Sequence, residues 1–564
     1  MQDVAGPLAV RCTVRSRSLS FRDQWLQWRF GFPGLTMLLR AVVLTCLLTA
    51  ALPVLAQPAT ISGSVYQERD GHAGRGDGEP GIAGVQVSDG VHIVRTDAQG
   101  RYSLQVEPGR TVFVIKPDGY TFASAGNGLP AYWRHYAPAG SPRLKYPGIA
   151  PTTGATEHWD FALRAQPKAD STEVLVFADS QTASMTDVGY YARAIVAPLV
   201  GKTQARLGTT LGDLVSDDLS LFPALNAETV KLGVPWFHVP GNHDLNFDAA
   251  DDLGSLASWR AIYGPDTYAV EDGGASFVFL DDVIYQPQRQ PDYIGGLRED
   301  QFAFLQTYLA SVPKDRLLVL GMHIHLFDAV PGKESFRHAD RARLFALLKD
   351  FPHVLVLTAH SHTQRHMYYT AADGWQGASP LHEYNVGAAC GAYWSGVKGA
   401  DGVPVTTMSD GTPNGYAVLT VKRGGDYALA YHAARAAGDP QLQLHAPKVL
   451  RRGAYPAWGV YANVFMGEDD TRVEYRLDGG PWKPMRHVRQ PDPDLLAENA
   501  RDDAADALRG YDRSPEATPS EHLWRGVLPT DLSVGAHRIE VRAFDRWRGE
   551  QRASTSYRLQ DASP

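Results

Sequence analysis

The alternation of apolar and polar positions divides the chain into segments of different rhythm. Between residues 60 and 165, short β-branched runs are separated by Gly, Pro and Asp turns: ISGSVYQ, GVQVSDG, VHIVRTDAQG, RYSLQVEPG and TVFVIKPDG. A period of two with turn chemistry at even spacing predicts a small β-sandwich. From about residue 170 the apolar runs become continuous and alternate with amphipathic stretches. EVLVFAD, ARLGTTLGD, VPWFHVPGNHD, ASFVFLDD, RLLVLGMHIH and HVLVLTAHSH read as strands buried on both faces. YYARAIVAPLV, REDQFAFLQTYLASV and ADRARLFALLKDF read as the helices between them. After residue 390 strand patterning returns in YAVLTVKR, YALAYHA, VEYRLDG and HRIEVRAFD, interrupted over 492–519 by an acidic, alanine-rich insertion with a short helix. The expected organisation is an upstream segment over 1–56, an N-terminal β-sandwich over 57–165, an α/β domain over 166–390 and a β-rich domain over 391–564.

One apolar run stands apart. From Met37 the chain reads MLLRAVVLTCLLTAALPVLAQPA, with one arginine, an apolar stretch and small residues up to Ala56. That order predicts a secretory signal cut after Ala56, rather than a membrane span. Residues 1–36 read as an upstream extension or an early start. The mature protein is therefore expected to begin near Gln57, without a transmembrane anchor, in the bacterial periplasm or medium. Removal of Cys12 and Cys46 leaves Cys390 alone, so no internal disulfide is expected.

Composition narrows the function class. With 564 residues, 44% hydrophobic and 21% charged, the chain is long enough for several packed domains. A net charge of −8 without a basic run argues against binding a nucleic-acid backbone, which needs clustered cations.

The chemistry sits at strand ends. Asp179 and Gln181 follow VLVFA, Asp213 follows TTLG, and Asn242, His243 and Asp244 follow FHVPG. His323 and His325 follow LVLGM, and His360 and His362 follow VLVLTA. Ligands of open α/β sheets bind beyond the carboxyl ends of strands, so neighbouring strands would merge these clusters into one site. Carboxylate, carboxamide and imidazole without thiolate suit Mn, Fe or Zn ions. Two such ions sharing a carboxylate clamp a phosphate for in-line attack.

At these residues the chain resembles the calcineurin-like metallophosphoesterases, whose blocks D-x-H, G-D, G-N-H-D/E, a lone His and G-H-x-H follow strands in this order. Here they are Asp179-Ser180-Gln181, Gly212-Asp213, Gly241-Asn242-His243-Asp244, His323 and Ala359-His360-Ser361-His362. The flanks resemble a secreted bacterial branch of that superfamily, the C-terminal likeness resting on GAACGAYWSG, DGTPNGY and NVF. The resemblance implies an α/β fold: a central four-layer α/β/β/α sandwich flanked by an N-terminal β-sandwich and a C-terminal mainly β domain. It also implies hydrolysis of small-molecule or envelope-derived phosphate mono- or diesters by a metal-bound hydroxide.

Carried over position by position, one ion takes Asp179, Gln181, Asp213 and His362. The second takes Asp213, Asn242, His323 and His360, with Asp213 bridging. His243 is expected to face the leaving-group oxygen, oriented by Asp244. Gln181 stands where most of the superfamily has His, which favours a harder ion. Asp-x-Gln is usual in the secreted branch, so the change does not imply a dead site.

Weaker expectations complete the reading. His325, Tyr393 and Trp394 are candidates for substrate contact, the last two as a wall of the cleft. Asp217 and Asp218 read as helix-start acids, and His366 and His382 as structural residues. TDAQGRYSL resembles the carboxypeptidase-regulatory-like and B-type repeats, and Asp70 with Asp77 offers a Ca²⁺ loop. The alternative function is an envelope or carbohydrate-binding protein with an inactive phosphoesterase core.

Overall fold

The computed structural model describes residues 57–71, 74–455, 458–510 and 512–562; the expected signal segment lies outside them. Two four-stranded sheets form the N-terminal sandwich. Ala59–Gln67 lies between Arg101–Val106 and Phe161–Ala165 in one sheet, and Gln86–Ser88 pairs with Arg110–Val114 in the other. Strict alternation in Arg101–Val106 turns Tyr102, Leu104 and Val106 inward, as its period of two requires.

The central layers are two mixed sheets. In the first, Trp236–Val239, Leu207–Leu211 and Ser171–Phe177 run parallel. In the second, Ala275–Leu280, Leu317–Gly321, Val354–Thr358 and Leu381–Asn385 run parallel between antiparallel edges Thr267–Asp272 and Arg365–Tyr369. The sheets meet face to face, with Phe237 stacked on Phe279 at 6.0 Å. Gly321 makes room for this stack: a Cβ there would stand 2.8 Å from the ring of Phe279, its partner on the neighbouring strand, and 3.3 Å from Leu211 of the facing sheet.

Helices cover both outer faces. Met185–Tyr191 runs into a π-helical turn, Ala192–Val196, and sets Tyr191 edge-on to Phe177. His338–Leu348 packs Phe345 against Tyr369 on the other sheet. The order helix, sheet, sheet, helix is the four-layer sandwich that the resemblance implies.

One boundary differs. Gly415–Lys422 and Tyr427–Ala433 were expected in the C-terminal domain beyond residue 390. Instead Gly415–Lys422 pairs antiparallel with Ser171–Phe177, and Tyr427–Ala433 extends the same central sheet. Their alternating burial is that of a sheet with one half-exposed face, a pattern that periodicity alone assigns to either domain. The C-terminal sandwich begins at Leu442–His445, with a four- and a five-stranded sheet around its own core. Within the acidic insertion, Asp492 caps the helix Pro493–Asp503.

A buried ion cluster ties the N-terminal sandwich to the core. Lys116 Nζ donates to the Glu271 carbonyl at 2.7 Å and lies 3.4 Å from the Asp272 carboxylate. Arg206 Nε donates to the same carboxylate at 2.9 Å. Burial pushes the Asp272 carboxyl up, but Arg206 and Lys116 hold it below the ordinary carboxylate range. Among the described residues no helix is long and apolar enough to cross a membrane.

Candidate metal centre

Five loops from the two sheets converge at the carboxyl edges of their parallel strands. Gly212 and Gly241 allow the approach. A Cβ on Gly212 would stand 2.5 Å from His323 Nδ1, and one on Gly241 would stand 2.2 Å from the Asp213 carboxylate. The polar residues of these loops bend the backbone hard. Asp179, Gln181, Asp213, His360 and His362 all have positive φ, from 33° to 72°. For side chains other than Gly this left-handed backbone is a local cost that the surrounding structure must hold in place.

His323 anchors the tightest cluster. Its Nδ1 donates to the Leu211 carbonyl at 2.8 Å, so Nε2 faces inward. That nitrogen lies 3.0 Å from Asn242 Oδ1, 3.2 Å from His360 Nδ1 and 3.3 Å from Asp213 Oδ2. Asp213, His323 and His360 each offer one ligand atom, all within 4.8 Å of one another. Beside them, the His362 Nδ1 donates to the Gly391 carbonyl at 2.7 Å, and its Nε2 lies 3.6 Å from Asp179 Oδ1. Gln181 is buried alongside, with its Oε1 4.0 Å from the Cys390 thiol.

The electrostatics match a cation site. Burial pushes the Asp179 carboxyl up to about 8, while burial drives His360 well down and His362 to about 4, the neutral form that binds metal. Burial works against the charge of His323, yet the adjacent Asp213 carboxylate raises it to about 10. Among the described residues, neither Asp179 nor Asp213 has a lysine or arginine partner. Buried carboxyls facing imidazoles, two of which burial holds neutral, with no lysine or arginine paired to Asp179 or Asp213 among the described residues, are the donor set of a divalent ion. The residues present therefore fit bound metal.

Two roles differ from expectation. His243 Nδ1 pairs with Asp217 Oδ1 at 2.7 Å, and the Asp217 N–H donates back to the His243 carbonyl at 3.2 Å. Burial pulls His243 down, but Asp217 and Asp213 raise it to about 9. Asp244, expected to orient that ring, instead accepts from the N–H groups of Gly241, Leu214 and Val215 at 2.9–3.2 Å. It braces the loop of Asp213 against the loop of Asn242. Asp217 is thus not a helix-start acid, whereas Asp218 caps the short helix Leu219–Leu221.

The substrate-contact candidates separate. Tyr393 is 59% exposed and sets its ring 4.9 Å from that of His362, at the mouth of the site. Trp394 is fully buried and donates from Nε1 to the Ser180 carbonyl at 2.9 Å, so it plugs the wall from behind. His325 is buried too: its Nδ1 bonds the Phe327 carbonyl at 2.7 Å, and its ring stacks on Phe327. Both are buried rather than exposed at the mouth of the site, unlike Tyr393.

His366 and His382 lie elsewhere, bonded to each other at 2.9 Å beside a cavity of about 730 Å³. In the N-terminal domain, Asp70 gathers with Glu68 and Glu79, not Asp77, and Glu68 is already engaged by Arg164. Sequence reasoning missed Asp282, a fully buried carboxylate that accepts from the N–H groups of His323 and Ile324 at 2.9 Å each. Its signal was the acidic pair ending the run ASFVFLDD, the sixth strand to end in polar residues.

Three family models match the chain. Residues 191–364 match the family model described as calcineurin-like phosphoesterase. Residues 70–145 and 383–550 match the models described as the N terminal and C terminal of calcineurin-like phosphoesterase. No curated protein matches the chain. Among solved structures, a dimetal phosphatase from Danio rerio is similar at 14% identity and a TM-score of 0.32, covering 46% of this chain and 98% of its own. A purple acid phosphatase from yellow lupin (Lupinus luteus) seeds is similar at 14% identity and a TM-score of 0.35, covering 67% of each chain.

Proposed function

Since this chain belongs to the calcineurin-like phosphoesterases, we propose that it hydrolyses a phosphate mono- or diester with two divalent ions at the edge of its central sheets. The observation that carries this reading is the convergence of His323 Nε2, Asn242 Oδ1, His360 Nδ1 and the Asp213 carboxylate, with no lysine or arginine paired to that carboxylate among the described residues. One ion fits Asp213, Asn242, His323 and His360. The other fits Asp179, Gln181, Asp213 and His362, with Asp213 shared. When bound, the ions supply an activated water and neutralise the phosphoryl oxygens.

The chain's own groups divide the remaining work. His243, held by Asp217 and protonated at neutral pH, gives its proton to the leaving-group oxygen. Asp244 and Asp282 fix the ligand loops through backbone N–H groups, and Tyr393 forms an exposed aromatic wall for the organic part of the ester. The carboxamide of Gln181 favours Mn or Fe over Zn at its position. The signal-like segment before Gln57 supports export to the periplasm or medium. The filled ligand set counts against an inactive, purely carbohydrate-binding core.

Purified protein is tested by counting bound metal and following hydrolysis of mono- and bis-p-nitrophenyl phosphate. Metal-dependent turnover of either ester supports the reading; bound metal without turnover of either overturns it.

A further inference from the structure

A cavity of about 370 Å³ opens beside His360, between the hairpin Val283–Tyr285/Tyr293–Gly295 and the loop carrying Lys333. Tyr293 forms its inner wall, with its ring edge-on to that of His360 at 5.9 Å. Two cations line the outer part, Arg289 in the hairpin loop and Lys333 opposite. Both loops are shaped by backbone bonds, Arg289 N–H to the Gln286 carbonyl at 3.1 Å and Lys333 N–H to the Val330 carbonyl at 3.0 Å.

Neither cation has a side-chain partner among the described residues. Elsewhere on this acidic protein, exposed basic groups are commonly paired, as Arg343 is with Glu299 and Arg501 with Glu498. The acidic group lining the cavity, Glu334, is engaged by the His338 N–H at 3.0 Å and by its ring. Two uncompensated positive charges in a recess next to a metal-binding histidine form an anion-attracting field. The reacting phosphoryl group belongs to the metal centre, so these charges face a different part of the substrate.

We propose that Arg289 and Lys333 form a subsite for a second anionic group, phosphate or carboxylate, carried on the organic part of the ester. The inference rests on the phosphoesterase reading above and narrows it: the substrate carries at least one anionic group besides the reacting phosphoryl group, as a bisphosphate or a phosphorylated acid does, and is not a phosphoester with a neutral organic group. Guanidinium and ammonium together suit phosphate, which accepts charge-assisted hydrogen bonds from both.

The test uses the full, metal-loaded chain with matched probes: monophosphates of short α,ω-alkanediols, the corresponding bisphosphates, and ω-phosphoalkanoates of the same lengths. Binding is read by calorimetry and turnover by phosphate release, each bisphosphate being corrected for its two equivalent ends. At low salt, probes with two anionic groups at the fitting length should bind and turn over about tenfold better than the monophosphate. The double variant Arg289→Gln/Lys333→Gln should abolish that preference and leave the monophosphate unchanged. A control that neutralises the distant exposed Lys202 and Lys448 should keep it. Preference for bisphosphates alone identifies phosphate as the second group; equal preference for phosphoalkanoates extends the subsite to carboxylates. Absence of preference at every chain length, or its survival in the double variant, overturns the subsite. Loss of turnover for all probes overturns the phosphoesterase reading instead, and the calorimetric preference then decides the subsite by the same two criteria.

Discussion

His243 and Asp217 hold each other twice, through the ring nitrogen at 2.7 Å and through the backbone at 3.2 Å. The carboxylate keeps the imidazole charged up to about pH 9, although burial alone would discharge it. Asp217→Asn removes that support, so the imidazole should lose its proton at lower pH. The descending alkaline limb of the rate profile should then move down, by about a unit, with metal content unchanged. His243→Ala should keep both ions and lose about 10²–10⁴ in rate. Loss of metal in either variant, measured by elemental analysis, contradicts this assignment.

Asp213→Asn addresses the shared carboxylate. Its negative charge faces His323 and serves both proposed ions, so occupancy should fall at both positions together. Retention of one ion at full occupancy would show that the carboxylate does not bridge.

Gln181 supplies a neutral oxygen where imidazole is usual. Gln181→Ala should release one ion more readily than the other on chelation. Gln181→His should shift that position toward Zn²⁺ relative to Mn²⁺. Unchanged stoichiometry and metal preference across wild type and both variants rule out direct ligation.

Away from the site, Asp272 joins Lys116 of the N-terminal sandwich to Arg206 of the core. Asp272→Asn leaves a buried lysine without its partner and should cost about 3–5 kcal/mol. The carboxyl lies below its ordinary value in the folded state. Its contribution is therefore complete above the unfolded carboxylate range, about pH 4, and is lost as pH falls from there through the folded value. Urea midpoints of wild type and variant should differ at neutral pH and converge toward pH 3. A constant difference across that range would remove the ion pair as its cause.

The central fold was legible because continuous apolar runs with polar ends have few alternatives to parallel strands feeding one edge. The clustering of Asp179, Asp213, Asn242, His323 and His360 was legible for the same reason, since strand ends order these residues in sequence before folding brings them together, while their proposed roles as ligands came from the resemblance. Roles decided by long-range pairing were not. Asp217 and His243 are 26 positions apart, and nothing local distinguishes a ring-holding aspartate from a helix cap. Asp244 sits beside His243 in sequence, yet the tight turn points its carboxylate to backbone N–H groups. The strand Gly415–Lys422 joins the core across more than two hundred residues, a pairing that alternation cannot disclose. Trp394 and Tyr393 are neighbours with opposite fates, one buried and one exposed, because the loop turns between them.

The left-handed backbone at Asp179, Gln181, Asp213, His360 and His362 has a bearing on how this sequence drifts. Glycine at any of these positions relieves strain on the order of 1–3 kcal/mol. A lineage that had stopped using the ions would be rewarded for each such replacement, since stability is the property that random change most often erodes. If the proposed ligand roles hold, mutation toward comfort and mutation away from metal binding are the same mutation. The chain keeps five polar side chains, each a proposed ligand, where its own backbone would settle more easily around none.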